Sequence, residues 1–104
     1  MDTILDEPYT NTPVLSLAET LEETMERLMT LHGDSLTRLC FMLLGDSALA
    51  EDAVSETFFK AYKAYPRFRH ESSEQTWLSR IAVNTCKDVL RSAWFRHRVR
   101  NLPL

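Results

Sequence analysis

A chain of 104 residues with a net charge of −3 is one domain at most, and is long enough to bury a core without disulfide or metal staples. Two glycines and four prolines, against plentiful Leu, Ala, Met and Glu, favour helix. No apolar run approaches the roughly 20 residues of a membrane span, and the acidic start does not fit a secretory signal, so the expected location is the cytoplasm.

In chain order, residues 1–14 contain Pro8 and Pro13 and no periodicity, and read as a flexible acidic tail. Ser16 and Glu19 form a capping-box pattern, behind which Leu17, Leu21, Met25 and Leu28 recur at helical spacing. Gly33-Asp34 is expected to interrupt that helix. The segment after it carries Leu36, Leu39, Cys40 and Leu43 on one face and stops at Gly45, a natural C-terminal cap. A second helix is predicted from Asp46 or Ser47 to just before Pro66. Its core face holds Ala50, Val54, Thr57, Phe58, Ala61 and Tyr65. The opposite face carries Asp52, Ser55, Glu56 and Lys63, yet Phe59 lies among them and Tyr62 at their margin. Either Phe59 packs against the first helix, or this face meets a partner.

A loop follows, Pro66-Arg67-Phe68-Arg69-His70-Glu71, and Ser72 with Gln75 is the expected cap of a third helix running to about Arg91 or a little beyond. Leu78, Ile81, Ala82, Thr85 and Val89 form its buried stripe. Trp77, Arg80, Asn84, Lys87 and Arg91 fall within roughly 80° of one another on a different face. Beyond it, residues 94–100 mix Trp94 and Phe95 with arginines.

Charge follows this order. Residues 1–66 hold 4 Lys/Arg against 12 Asp/Glu, whereas residues 67–104 hold 8 against 3. An acidic half joined to a basic half suggests two kinds of partner surface, the basic one suited to phosphates; scattered solvated charge is the plainer alternative. Cys40 and Cys86 sit within apolar helical patterns and read as buried thiols rather than a disulfide.

Catalysis finds little support. There is no Gly-rich phosphate loop, no nucleophile beside a base, and His32, His70 and His97 stand apart from any metal-ligand spacing. Glu51, Asp52 and Glu56 read as a solvated or partner-facing surface. No cofactor or metal is implied. The third helix and its preceding loop instead suit unpaired nucleic acid, which is held by aromatic platforms and by cations tracking the backbone. Phe68 and Trp77 are candidate platforms; Arg67, Arg69, Arg80, Lys87 and Arg91 are candidate cations; Ser72 and Ser73 are candidate donors. The competing reading makes Trp77 a core residue and the arginines solubilising.

Three runs carry a resemblance. Leu43-Leu44-Gly45-Asp46, Ala50 through Phe58 and Lys60-Ala61-Tyr62 resemble region 2.1–2.2 of extracytoplasmic-function sigma factors. Arg67-Phe68-Arg69 through Thr76-Trp77-Leu78, with Arg80-Ile81-Ala82-Val83-Asn84, resembles their region 2.3–2.4. The order and spacing agree over about 50 residues. The resemblance implies a compact all-α domain of three to four helices over residues 15–93, with residues 94–104 beginning a basic interdomain linker and the second, −35-reading domain absent. It implies a bacterial transcription initiation factor that docks on the clamp helices of the RNA polymerase largest subunit through Asp52, Ser55, Glu56, Phe59, Tyr62 and Lys63. It also implies that Phe68, Arg69, His70, Ser72 and Ser73 form a pocket for a flipped base of the promoter −10 element. Trp77, Arg80, Asn84, Lys87 and Arg91 would then contact the non-template single strand. An anti-sigma factor is a further implied partner. Two positions depart from the family: Ser55 stands where glutamine is usual, and His70 where many relatives have glycine. An interaction module that binds polymerase or an anti-sigma factor without reading DNA is the alternative.

Overall fold

The computed structural model describes residues 19–100. The expected tail at 1–14 and the Ser16–Leu17 start lie outside the described residues. The first described helix, α1 (Leu21–Leu44), opens on a reciprocal capping box. The Glu23 N–H donates to Thr20 Oγ1 and the Thr20 N–H donates to Glu23 Oε1, both at 3.0 Å, satisfying two backbone donors that the first turn leaves without partners.

α1 does not break at Gly33-Asp34; it continues for 24 residues. A glycine inside a helix costs about 1 kcal/mol relative to alanine. Burial of Leu28 and Leu36, each worth roughly 1.5–3 kcal/mol, outweighs that cost on either side of Gly33. The helix ends where Gly45 adopts φ +68°, its N–H donating to the Phe41 carbonyl at 2.7 Å. Leu43 was expected in the core but is 41% exposed. The fully buried face of α1 stops at Cys40, and Leu44 is the last-turn residue packed against it.

α2 (Ser47–Ala64) is capped by Asp46, whose Oδ1 accepts the Leu49 N–H at 2.8 Å. Ala50, Ala53, Thr57, Phe58 and Ala61 are buried. Three of these five are alanines, so the backbone of α2 approaches its neighbours closely. Thr57 keeps its buried hydroxyl satisfied by donating to the Ala53 carbonyl at 2.7 Å. A single 3-10 turn, Tyr65–Arg67, places Pro66 at its start, where the missing N–H costs nothing.

α3 (Glu74–Arg100) is 27 residues, about 40 Å long, and runs nine residues past Arg91, further than the short extension expected from the sequence. Its cap is Ser73 rather than Ser72: Ser73 Oγ accepts the Thr76 N–H at 3.0 Å and the Ser73 carbonyl accepts the Trp77 N–H at 3.0 Å. Leu78, Ala82, Thr85 and Cys86 are buried, with Ile81 and Val89 partly so. The three helices contact one another pairwise, with Leu28, Leu36 and Leu78 at the centre and Trp77 and Tyr65 packed on its edge. Every regular element among the described residues is helical, which is the all-α arrangement the sequence implies.

Candidate nucleic-acid interface

The loop between α2 and α3 is fixed to the body by an ion-pair network that joins α1, the start of α3 and the 3-10 turn that follows α2. Arg27 on α1 grips Glu74, the first residue of α3, through Nη1–Oε1 at 3.0 Å and Nη2–Oε2 at 3.2 Å. Its Nε donates to Glu19 Oε2 at 3.2 Å. The Tyr65 hydroxyl donates to Glu74 Oε2 at 2.9 Å, and Thr24 Oγ1 donates to Glu19 Oε1 at 2.9 Å. The Arg27 hydrogen bonds hold the Glu74 carboxyl below its ordinary value, and Glu74 in turn holds the guanidinium proton more tightly. Burial, reinforced by Glu74, raises the Tyr65 phenol. None of these residues was singled out from the sequence as a site, because the two ends of the pair are 47 positions apart.

On this anchored frame sits a cluster of four rings. Trp77 stacks on Phe68 with centroids 4.4 Å apart and planes 20° apart. The His70 imidazole lies 4.2 Å from Phe68 at 39°. Tyr65 meets both His70 and Trp77 edge-on, at 5.9 and 5.8 Å. The face that Phe68 and Trp77 share is thus closed, so neither ring is a fully open platform. His70 adopts φ +59°, the only non-glycine residue in the left-handed region among those described. Such a backbone costs a residue with a Cβ about 1 kcal/mol or more, a cost that glycine would not carry. Ser73 is committed to capping α3, and Ser72 Oγ donates to the Ser73 carbonyl at 3.2 Å. Arg69 is exposed and pairs with Glu71 at 3.4 Å.

Along α3, Arg80, Asn84, Lys87 and Arg91 are all exposed, and Trp77 lies partly buried at the head of the row. Arg80 and Asn84 border an open concavity of about 490 Å³, together with Gln75, Thr76, Ser79 and Val83. From the sequence none of those last four is a site residue, Gln75 entering only as a cap partner and Thr76 and Val83 only within the resemblance, although Thr76 and Ser79 lie one turn before Arg80 and Val83, the spacing that puts residues side by side on a helix. Arg91 is not a free cation: it pairs with Asp88, which also lies 3.8 Å from Lys60 Nζ. Lys60 donates to the buried Thr85 hydroxyl at 3.1 Å.

The outer face of α2 is a separate surface. Phe59 is 56% exposed, so it does not pack against α1, and Lys63 Nζ stands 4.7 Å above its ring. Asp52, Ser55, Glu56 and Lys63 surround it, all exposed. Tyr62 is tied back to α1, its hydroxyl donating to Glu22 Oε2 at 3.1 Å, a bond that raises the phenol. No group of three or more His, Cys, Asp or Glu among the described residues is placed to hold a metal ion, and no described helix is long and apolar enough to cross a membrane.

Comparison with known proteins supplies the family. The model of sigma-70 region 2 matches residues 28–96, covering both surfaces. The chain is 45% identical over 64 residues to the ECF RNA polymerase sigma factor SigG of Mycobacterium tuberculosis, which is 62% of this chain and 16% of that protein. It is 49% identical over 45 residues to the RNA polymerase sigma-H factor of Pseudomonas aeruginosa, 43% of this chain and 23% of that one. It is 56% identical over 39 residues to the ECF RNA polymerase sigma-E factor of Escherichia coli, 38% of this chain and 20% of that one. The chain therefore spans less than a quarter of the length of these relatives. No solved structure matches significantly. From residue 28 to residue 96 the chain belongs to the sigma-70 region 2 family, as a region 2 domain of the extracytoplasmic-function kind.

Proposed function

We propose that this domain acts in bacterial transcription initiation, binding RNA polymerase with one face and reading the promoter −10 element with another. The observation that carries the reading is the adjacency, in a region 2 chain, of an anchored ring cluster and a row of exposed polar and cationic side chains on α3.

The chemistry runs as follows. Extracting a base from a duplex costs a few kcal/mol, which stacking and phosphate contacts must return. The loop of Phe68, Arg69, His70, Ser72 and Ser73 receives the flipped base, held in place by the Arg27–Glu74–Tyr65 network beneath it. Asn84, with a donor and an acceptor on one side chain, reads a neighbouring base edge, and Arg80 and Lys87 follow the backbone of the non-template strand. Trp77 supports the loop from below. Arg91 joins the backbone contacts once phosphate competes with Asp88 for its guanidinium. The protein binds unpaired bases and not the closed duplex, so each base captured shifts the duplex toward melting.

On α2, Asp52, Ser55, Glu56, Phe59, Tyr62 and Lys63 dock on the clamp helices of the polymerase largest subunit. Phe59 has the character of an anchor: a large ring, more than half exposed, ringed by polar groups. Ser55 reaches less far than a glutamine and weakens that docking. An anti-sigma factor that covers either face would silence the domain, which would work in the cytoplasm.

Selection from a random single-stranded DNA library tests the reading, with wild type and Asn84→Ala, each with and without a clamp-helix fragment. A defined motif that Asn84→Ala loses is the expected result. Clamp binding with no enriched motif would instead establish an interaction module that does not read DNA.

A further inference from the structure

The rings of the loop form an ordered stack with one open end. Trp77 and His70 both lie within 4.4 Å of the Phe68 centroid. Two rings that close cannot share one face of a phenyl group without clashing, so they cover opposite faces. The sequence of rings is Trp77, Phe68, His70, with Tyr65 edge-on along the side. Trp77 is partly buried against the core, Phe68 is enclosed between its two neighbours, and His70 is exposed. The only end of the stack open to solvent is therefore the imidazole.

The backbone at this point is also unusual. His70 holds φ +59°, where a side chain is tolerated reluctantly and glycine freely. A strained position that persists beside a candidate binding loop points to a role for the side chain that occupies it. In this conformation the imidazole lies 4.2 Å from Phe68. Arg69 is exposed at the preceding position, and its pairing with Glu71 is exposed too, so a nucleotide phosphate can compete for its guanidinium.

We propose that His70 is the base-stacking platform of this loop. The flipped nucleobase lies on the solvent-facing side of the imidazole and extends the Trp77–Phe68–His70 stack by one ring. Phe68 and Trp77 support the platform without touching the base. This assignment rests on the reading of loop 68–73 as a single-strand contact, and it replaces the view that Phe68 and Trp77 themselves receive the base.

The test uses the single strand enriched by wild-type protein in the selection above, with 2-aminopurine placed in turn at each position of the motif. At the flipped position, wild type is expected to quench the 2-aminopurine by stacking. His70→Gly removes the ring and relieves the backbone; it should stay folded, lose that quenching and bind on the order of 10-fold more weakly. His70→Phe, which keeps a ring on Phe68, should bind within about 2-fold of wild type. A folded His70→Gly that binds and quenches as wild type overturns the assignment, and so does one that binds more tightly, because the ring would then be an obstruction. Loss of motif binding in Asn84→Ala with none in His70→Gly would overturn only the role of His70. A wild-type protein that enriches no strand would overturn the function reading and the platform together.

Discussion

Glu74→Gln tests whether the Arg27–Glu74–Tyr65 network sets the geometry of the loop. Glu74 receives two hydrogen bonds from Arg27 and one from Tyr65, all between 2.9 and 3.2 Å. Glutamine keeps the volume but removes the charge, and its single carbonyl oxygen cannot accept both guanidinium bonds and the phenol together. Hydrogen bonds to charged groups are worth roughly 1.5–3 kcal/mol. The Arg27 side chain is 36% exposed and that of Glu74 23%, so water screens part of this. A loss of about 1–2 kcal/mol is expected at pH 7, or roughly 4–12 °C in melting temperature for a domain this small. The pH dependence follows from the depressed Glu74 carboxyl. A group whose folded value lies below its unfolded value contributes stability above the unfolded value, near 4.5, and loses it as pH falls through the folded one. The difference between wild type and Glu74→Gln should therefore be full at pH 7 and shrink steadily below about pH 4.5. Urea unfolding followed by far-ultraviolet circular dichroism at pH 7, 5 and 3.5 measures it. An equal difference at all three values would refute the electrostatic account, and no difference at pH 7 would show the network to be ornamental.

Other consequences are equally accessible. Gly33→Ala should stabilise the domain by about 0.5–1 kcal/mol, since Gly33 lies inside a helix, without a positive φ, and an added Cβ meets nothing within 4 Å; a lower melting temperature would contradict the continuous α1. Burial pushes the Cys40 thiol up to about 12, and Cys86 is equally inaccessible, so a thiol reagent at pH 8 should label neither until the protein is unfolded in urea. Rapid labelling of the native protein would contradict the packing of α1 on α3. Phe59→Ala should change stability by no more than about 0.5 kcal/mol, because the ring is 56% exposed, yet weaken clamp-fragment binding by about 30-fold in a calorimetric titration. A large drop in stability would mean that Phe59 is structural.

What the sequence made legible was periodic and local. The core faces of α2 and α3 follow from Phe58, Ala61, Leu78 and Ala82 recurring at helical spacing, and Gly45 marked the end of α1. Caps were less certain because their patterns overlap. Thr20 with Glu23 caps α1 by the same pattern that Ser16 and Glu19 show outside the described residues, and Ser72 and Ser73 are adjacent; only the backbone path selects Ser73 for α3. Gly33-Asp34 looked like a break because propensity counts the glycine and not the leucines packed around it. The surface residues of α3 are readable as a row, and the i,i+3 spacing of Asp88 and Arg91 carries the pairing that takes Arg91 out of it. The Arg27–Glu74 pair and the ring order in the loop were out of reach of local pattern, since each depends on how three helices meet. His70 is legible in the sequence as a member of the loop pocket, but its left-handed backbone is not, since that depends on the path of the loop.

The most direct measurement of the central claim is fluorescence anisotropy of the enriched strand in three forms: alone, as its complement alone, and as the closed duplex. If α3 and the loop read unpaired bases, the enriched strand should bind at least about 10-fold more tightly than the other two at physiological salt. Equal binding of all three forms, collapsing together as salt is raised, would show only a basic surface attracted to phosphate and would contradict promoter reading by this domain.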